Sequence, residues 1–386
     1  MGSETPQVSR RALLRMGVGG AAGIVSASLL AAGARAQDAT PSGSHNMDGM
    51  ATDMPPMDHS LMSNVLAGTV DHARNGFDPM EMLVDWDTGT VTGVAEDGSP
   101  VREYDISAGD ITIEIAPGIF FPAWTYNGRV PGPSIRCREG DLLKIHFANY
   151  ASHPHTMHFH GFHTSDMDGV PGIGRGAILP GEDFTYEFHA EPFGCHLYHC
   201  HAIPLKRHIH KGMYGAFVID PQQGRLPARE LMMVMNAFDT NFDSANEIYA
   251  VNTVGHEFMK RPIPVKVGEL IRVYLINVVE FDLINSFHIH GNFFDYYDHG
   301  TTLTPTLRTV DTIMQAQGQR GILEFRFRWP GQYMFHAHVS EFAELGWMGL
   351  FNAVPAGDYP AALADVGLDD AWDFKSTHGA EYGSEG

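Results

Sequence analysis

His155-Thr156-Met157-His158-Phe159-His160 and His199-Cys200-His201 decide how this chain is read, because each has a second copy farther along. His288-Ile289-His290 lies 130 residues after His158-Phe159-His160, and His336-Ala337-His338 lies 137 residues after His199-Cys200-His201. The flanking sequence repeats too. Tyr126-Asn127-Gly128, Val130-Pro131-Gly132-Pro133 and Gly140-Asp141-Leu142-Leu143-Lys144-Ile145 are answered by Val251-Asn252, Pro262-Ile263-Pro264-Val265 and Gly268-Glu269-Leu270-Ile271-Arg272-Val273. In each copy a turn leads into alternating apolar and polar residues, the period of a strand. Short strands punctuated by Gly and Pro, with few long helical patterns, predict an all-β chain of two β-sandwich domains. The boundary falls near Pro221-Gln222-Gln223-Gly224-Arg225, giving domains at 67–222 and 223–356.

Strand geometry carries the chemistry. Residues i and i+2 share a face, so each His-x-His pair presents two imidazoles side by side. Four converging pairs offer eight nitrogen ligands, which suits several copper ions. A lone histidine is usually a packing or surface residue, but that reading does not account for four pairs at matching repeat positions. Cys200 points to the face opposite His199 and His201, so its sulfur can serve a separate copper. A blue-copper site takes two His, one Cys and a weak axial Met. The candidates are His155, Cys200, His208 and Met213, with His210 as the alternative second imidazole. His153, His163, His189 and His196 read as structural or supporting.

At this point the chain resembles the multicopper oxidases. His155-x-x-His158-x-His160 is similar to their H-P-x-H-x-H motif, and His199-Cys200-His201 with His208 and Gly212-Met213 to their H-C-H-x3-H-x4-M motif. Seven residues separate Cys200 from His208 where the family usually has four, a longer loop resembling that of the related copper nitrite reductases. In the second copy Asn285, Ala337, Phe342 and Trp347 stand where the blue-copper ligands belong, while all four cluster histidines remain. The resemblance is therefore to two-domain oxidases with the blue copper in the first domain, and it covers roughly residues 115–355.

The resemblance implies two cupredoxin-like Greek-key sandwiches assembled as a homotrimer, with clusters completed between neighbouring chains. It assigns His158 and His288 to a mononuclear (type 2) copper, and His160, His199, His201, His290, His336 and His338 to a coupled (type 3) pair. Together with the type 1 site this makes four coppers per chain. A phenolic or metal-ion reductant would be oxidised at the Cys200 copper, and electrons would pass by way of His199 and His201 to a cluster that reduces dioxygen to water. Asp168, followed by Gly169, resembles the family's proton-delivering acid and is the candidate catalytic residue; on its own the pair also reads as a turn. In the nitrite reductases an aspartate takes the place of His158, and the place of His201 is not a ligand, so an oxidase is expected over a nitrite reductase. A non-enzymatic copper carrier would leave eight ordered histidines unexplained.

The rest of the sequence sets the context. A net charge of -21 argues against a nucleic-acid partner. Ser9-Arg10-Arg11-Ala12-Leu13-Leu14, an apolar Gly/Ala-rich run and Ala34-Arg35-Ala36 read as a twin-arginine signal peptide over 1–36, hence export to the periplasm or beyond without stable membrane insertion. Residues 37–66, with Met47, Met50, Met54, Met57, Met62, His45 and His59, read as a disordered arm whose donors suit Cu(I) or, equally, as a solvated linker. Residues 357–386 read as an acidic tail. Cys137 and Cys195 are left either as a disulfide or as two buried thiols.

Overall fold

The computed structural model describes residues 68–379. The signal-peptide and Met-rich segments expected at 1–36 and 37–66 lie outside the described residues. The chain folds as two cupredoxin-like β-sandwiches. In the first, a sheet containing Pro100–Ala116, Leu142–Asn149 and Asp183–His189 faces a sheet containing Ser134–Arg138, Tyr214–Asp220, Gly194–His199 and His158–Phe159. In the second, a sheet built on Arg229–Phe238, Ile271–Asn277 and Arg320–Phe325 faces one containing Ile263–Lys266, Met348–Val354, Gly331–His336 and Ile284–Ile289.

Three apolar cores follow from strand alternation. Tyr198 and Cys200 point into the first sandwich, with Met213, Phe217 and Ile219 from the neighbouring strand. Their alternates Cys195, Leu197, Ala216 and Val218 point outward and meet Met232, Val234, Tyr274 and Ile276 of the second sandwich. Leu231, Met233 and Met235 fill the second sandwich itself. Tyr214–Asp220 and Arg229–Phe238 are buried on both faces, which is why they read as near-continuous apolar runs rather than as alternating ones. The sandwiches are thus joined by a shared core and form part of one compact unit.

A buried ionic network reinforces that junction. Arg136 pairs with Asp220 at 2.7 Å and with Glu230 at 2.7 Å, and Glu230 also holds Arg272 at 2.8 Å. Tyr274 donates to the same carboxylate at 2.9 Å. Trp86 lies over the Arg136 guanidinium, 4.6 Å from the ring centre.

Two expectations need correction, and one open alternative is decided. Residues 357–386 are not simply a tail: Tyr359–Asp365 and Asp370–His378 are helices, and Tyr359, Leu363, Leu368 and Trp372 are buried in the second core. Acidic residues on the outer faces hide these apolar positions from a composition-based reading. The segment assigned to the start of the first domain also packs elsewhere, because Met80, Leu83 and Val84 enter the second core and Trp372 Nε1 donates to the Met80 carbonyl. Of the two readings left for Cys137 and Cys195, buried thiols without a disulfide is the one found. They sit on strands either side of Tyr214–Asp220, opposite Ile219 and Val218. Two strand spacings, about 9.6 Å, exceed disulfide reach.

Candidate metal centres

Cys200 follows directly on the strand Gly194–His199 and lies in the first core, fully buried. Its Sγ is 3.7 Å from His155 Nδ1 and 3.2 Å from His208 Nδ1, and the two nitrogens are 3.2 Å apart. His155 reaches this point through an isolated bridge to Ile178. His208 comes from the short helix Leu205–His210, which fills the long loop after Cys200. Met213, also fully buried, accepts the Cys200 N–H at its carbonyl at 2.9 Å. His210 turns away, with Nε2 3.2 Å from the Asp239 carbonyl. The geometry therefore brings His208, not His210, to the cysteine.

Burial pushes the Cys200 thiol up to about 11, although N–H groups of Ala202 and Thr156 pull it back. Burial holds His155 down to about 3 and His208 to about 4. Two neutral imidazoles and a thiol that ionises readily only beside a cation form a soft donor set of the blue-copper kind.

On the other face, His158 pairs with His199 across two antiparallel strands. His160 Nε2 and His199 Nε2 are 3.2 Å apart, and the His158 and His201 rings are 5.3 Å apart. The second sandwich repeats this quartet. His288 pairs with His336, His290 Nε2 lies 3.0 Å from His336 Nε2, and the His288 and His338 rings are 5.1 Å apart.

Backbone carbonyls set the tautomers. Nδ1–H donates from His158 to Asp168 at 2.8 Å, from His199 to Cys200 at 3.0 Å, from His288 to Asp311 at 2.9 Å and from His336 to Ala337 at 2.6 Å. Each bond leaves an Nε2 lone pair free to take a metal, the usual outer support of a metal-binding histidine. The Nε2 atoms of His160 and His199, and of His290 and His336, lie 3.2 and 3.0 Å apart, where a shared proton or a cation can hold each pair together. The residues present therefore fit copper at both places.

Asp168 has its carboxylate 3.2 Å from His158 Nδ1 and 3.8 Å from His163 Nε2. The backbone at Asp168-Gly169 agrees with the turn reading. Gly169 has φ +66°, and a Cβ there would come within 2.0 Å of the Met157 carbonyl, so only glycine brings Asp168 to His158.

Sequence reasoning missed four supporting residues. Asp311 does for His288 what Asp168 does for His158. Thr156 donates its N–H to Cys200 Sγ at 3.4 Å and takes the His201 N–H on its hydroxyl at 2.9 Å. Arg320 reaches from the second sandwich to His160 Nδ1 at 3.4 Å and His196 Nδ1 at 3.2 Å. Trp124 packs on both imidazoles near Cys200, with ring centres 5.4 Å from His155 and 4.8 Å from His208. Only Thr156, inside the first quoted motif, left a sequence signal.

The second sandwich keeps the skeleton of the cysteine pocket without its donors. Ala337 N–H donates to the Trp347 carbonyl as Cys200 does to Met213, and His338 N–H donates to Ser286 Oγ as His201 does to Thr156. Phe342 stacks on Tyr249 with ring centres 4.1 Å apart, and Trp347 fills the remaining space against Phe287 and Phe335.

Two cupredoxin-type sandwiches sharing this histidine arrangement, with one cysteine pocket in the first, define a two-domain blue-copper protein class. The chain belongs to the multicopper oxidase family: family models described as multicopper oxidase match residues 109–224 and 227–357. A solved multicopper oxidase structure is similar at 57% identity and TM-score 0.72, over 74% of this chain and 100% of that one. The blue copper oxidase from Nitrosomonas europaea is similar at 27% identity and TM-score 0.60, over 74% and 96% of the two chains. A copper-containing nitrite reductase from Neisseria meningitidis serogroup A is 32% identical over 254 residues, 59% of this chain and 62% of the relative. The matched region thus spans less than two thirds of the length of such curated relatives. Among the described residues no helix is long and apolar enough to cross a membrane.

Proposed function

We propose that the protein is an exported oxidase that couples one-electron oxidation of a phenolic or metal-ion reductant to four-electron reduction of dioxygen to water. The observation that carries this reading is the pair of four-histidine quartets, one of them directly continuous with the buried cysteine site. His155, Cys200, His208 and Met213 would hold a type 1 copper. His158 and His288 would hold a type 2 copper, and His160, His199, His201, His290, His336 and His338 a type 3 pair. Bound copper supplies reversible one-electron chemistry and the means of reducing dioxygen.

The chain's own groups set the conditions for that chemistry. Thr156 donates to Cys200 Sγ and favours the thiolate. The His199 Nδ1–H to Cys200 carbonyl bond locks the ring beside the cysteine and gives a short path between the two sites. Carbonyls of Asp168 and Asp311 orient His158 and His288. The Asp168 carboxylate, partly exposed between His158 and His163, would carry protons inward from solvent; its closeness to both rings supports this.

The homotrimer reading draws on the quartets' separation. Among the described residues no hydrogen bond or ring contact joins a histidine of one quartet to one of the other. His290 and His338 are exposed, so the second quartet faces outward for a neighbour's first quartet to complete. Closing three chains in a ring makes three equivalent junctions. Mixing a variant lacking His158 and His160 with one lacking His288 and His290 tests this. Recovered oxygen uptake in mixed assemblies supports shared clusters, and an active monomer by light scattering rules them out.

Nitrite reduction is the second reading, favoured by the 32% identical relatives. Oxygen uptake measured beside nitrite consumption separates the two. Rapid nitrite turnover with negligible oxygen uptake would overturn the oxidase.

A further inference from the structure

A cleft of about 280 Å³ opens where the two sandwiches meet, lined by Lys206, Arg207, His210, Lys211, Phe242 and Phe281 among others. It adjoins the cysteine site through Trp124. That ring packs on His208, the Arg207 guanidinium lies 5.3 Å from its centre, and Trp124 N–H donates to the Lys211 carbonyl at 2.8 Å.

Three features mark the cleft as built for a ligand. Lys211 is only 7% exposed, yet its ammonium has no hydrogen bond or ion pair among the described residues. It sits over aromatic faces, 5.0 Å from the centre of Phe121, 5.1 Å from that of Phe242 and 5.8 Å from that of Trp124, with Asp110 a nearby charge that is not bonded to it. The side chain is buried, but its ammonium reaches the cleft with no carboxylate bonded to it, so an anion entering there finds an uncommitted donor. Next, the two aromatic walls are held in left-handed backbone, Phe242 at φ +64° and Phe281 at φ +74°. Bulky residues adopt that conformation only where the surroundings impose it. The Phe242 loop is tied down on either side of Phe242: His210 Nε2 meets the Asp239 carbonyl, and the Asp239 carboxylate accepts the N–H groups of Asp243 and Ser244. Lastly, Lys206, Arg207 and Lys211 outnumber the single carboxylate of Asp239 in the cleft, so positive charge gathers there on a chain of net charge -21.

We infer that this cleft binds the reductant, and that the reductant is an anionic aromatic: a phenol bearing a carboxylate, or a phenolate. Phe242 and Phe281 clasp its ring, and the ammonium of Lys211, with Lys206 and Arg207 at the mouth, receives its negative charge. The inference rests on the oxidase reading for turnover but not for binding. A bound phenolate gives up one electron towards His208 by way of Trp124 and becomes a phenoxyl radical. Four such losses, with one dioxygen and four protons, give two waters. The same positive field disfavours Cu(I), Fe(II) and Mn(II) as reductants.

The test combines calorimetry with kinetics. 4-Methoxybenzoate, which resists oxidation, is titrated into copper-free and copper-loaded protein beside its neutral amide. Saturable binding of the acid, with binding of the amide at least about tenfold weaker, is expected in both forms. Lys211→Met and Phe242→Ala should each weaken the acid about tenfold, with circular dichroism checking the fold. In oxygen uptake, Lys211→Met should raise KM for 4-hydroxy-3-methoxybenzoate about tenfold and shift that for its amide by less than about twofold. No binding by the wild type, equal binding of acid and amide, or undiminished binding by the well-folded Phe242→Ala variant would overturn the inference. Binding without oxygen uptake would leave the cleft intact and sink the oxidase reading instead.

Discussion

Glu230→Gln tests whether the two sandwiches depend on their shared ionic network. Glu230, at the start of the second sandwich, accepts from Arg136 of the first sandwich and from Arg272 and Tyr274 of its own. Although burial alone would raise its carboxyl, the two guanidinium groups hold it down from 4.5 to about 2. That displacement corresponds to about 3 kcal/mol of stability at neutral pH. Removing one partner of a buried pair costs a similar amount, about 3–5 kcal/mol. The sign follows from a depressed carboxylate: the contribution is complete above pH 4.5 and disappears as pH falls through about 2. Glutamine keeps the shape and loses the charge, leaving Arg136 with Asp220 alone and Arg272 with Glu324. Urea unfolding followed by tryptophan fluorescence should show a loss of about 3 kcal/mol and a split into two transitions as the sandwiches uncouple. A single transition displaced by less than about 1 kcal/mol would mean that the apolar core alone joins the domains.

Cys200→Ser should abolish the intense blue absorption of the copper-loaded protein and its turnover while metal analysis still finds the cluster copper; a retained band would remove Cys200 from the type 1 site. The copper-free protein should lose stability as pH falls from 6.5 towards 4, because His155, His199 and His208 are held at about 3, about 4 and about 4, so the unfolded chain binds more protons across that window. A flat thermal-melting profile over the same range would contradict this. Trp372→Ala should cost about 3–5 kcal/mol, measured by chemical denaturation, because the ring fills the second core and anchors the N-terminal segment; a loss below about 1 kcal/mol would return the terminal helices to the status of an appendage.

The sandwich architecture and the two quartets were legible because strand periodicity and His-x-His spacing are local signals. One residue step decides which face a side chain takes, so Cys200 could be placed opposite His199 without coordinates. His208 against His210 was not decidable, since a loop of seven residues has no fixed period; a helix turn settles it by aiming only His208 at the cysteine. The cleft walls were invisible for a related reason. Lys211, Phe242 and Phe281 meet across a domain boundary, and nothing in their spacing announces a left-handed backbone. Trp372 was hidden by its acidic neighbours, because composition averages over faces that folding separates.

His199, Cys200 and His201 are consecutive residues at the end of one strand, with Cys200 N–H fixed to Met213 and His201 N–H to Thr156. Domain movement therefore cannot change the distance between the sulfur and its two flanking imidazoles. In the proposed trimer, breathing or a junction that loosens with temperature would alter how well one quartet meets the next chain's quartet while leaving this internal spacing untouched. If the proposed oxidase and its assembly hold, variation in rate would reside in how the subunits fit together, and the spacing inside each subunit would behave as a constant.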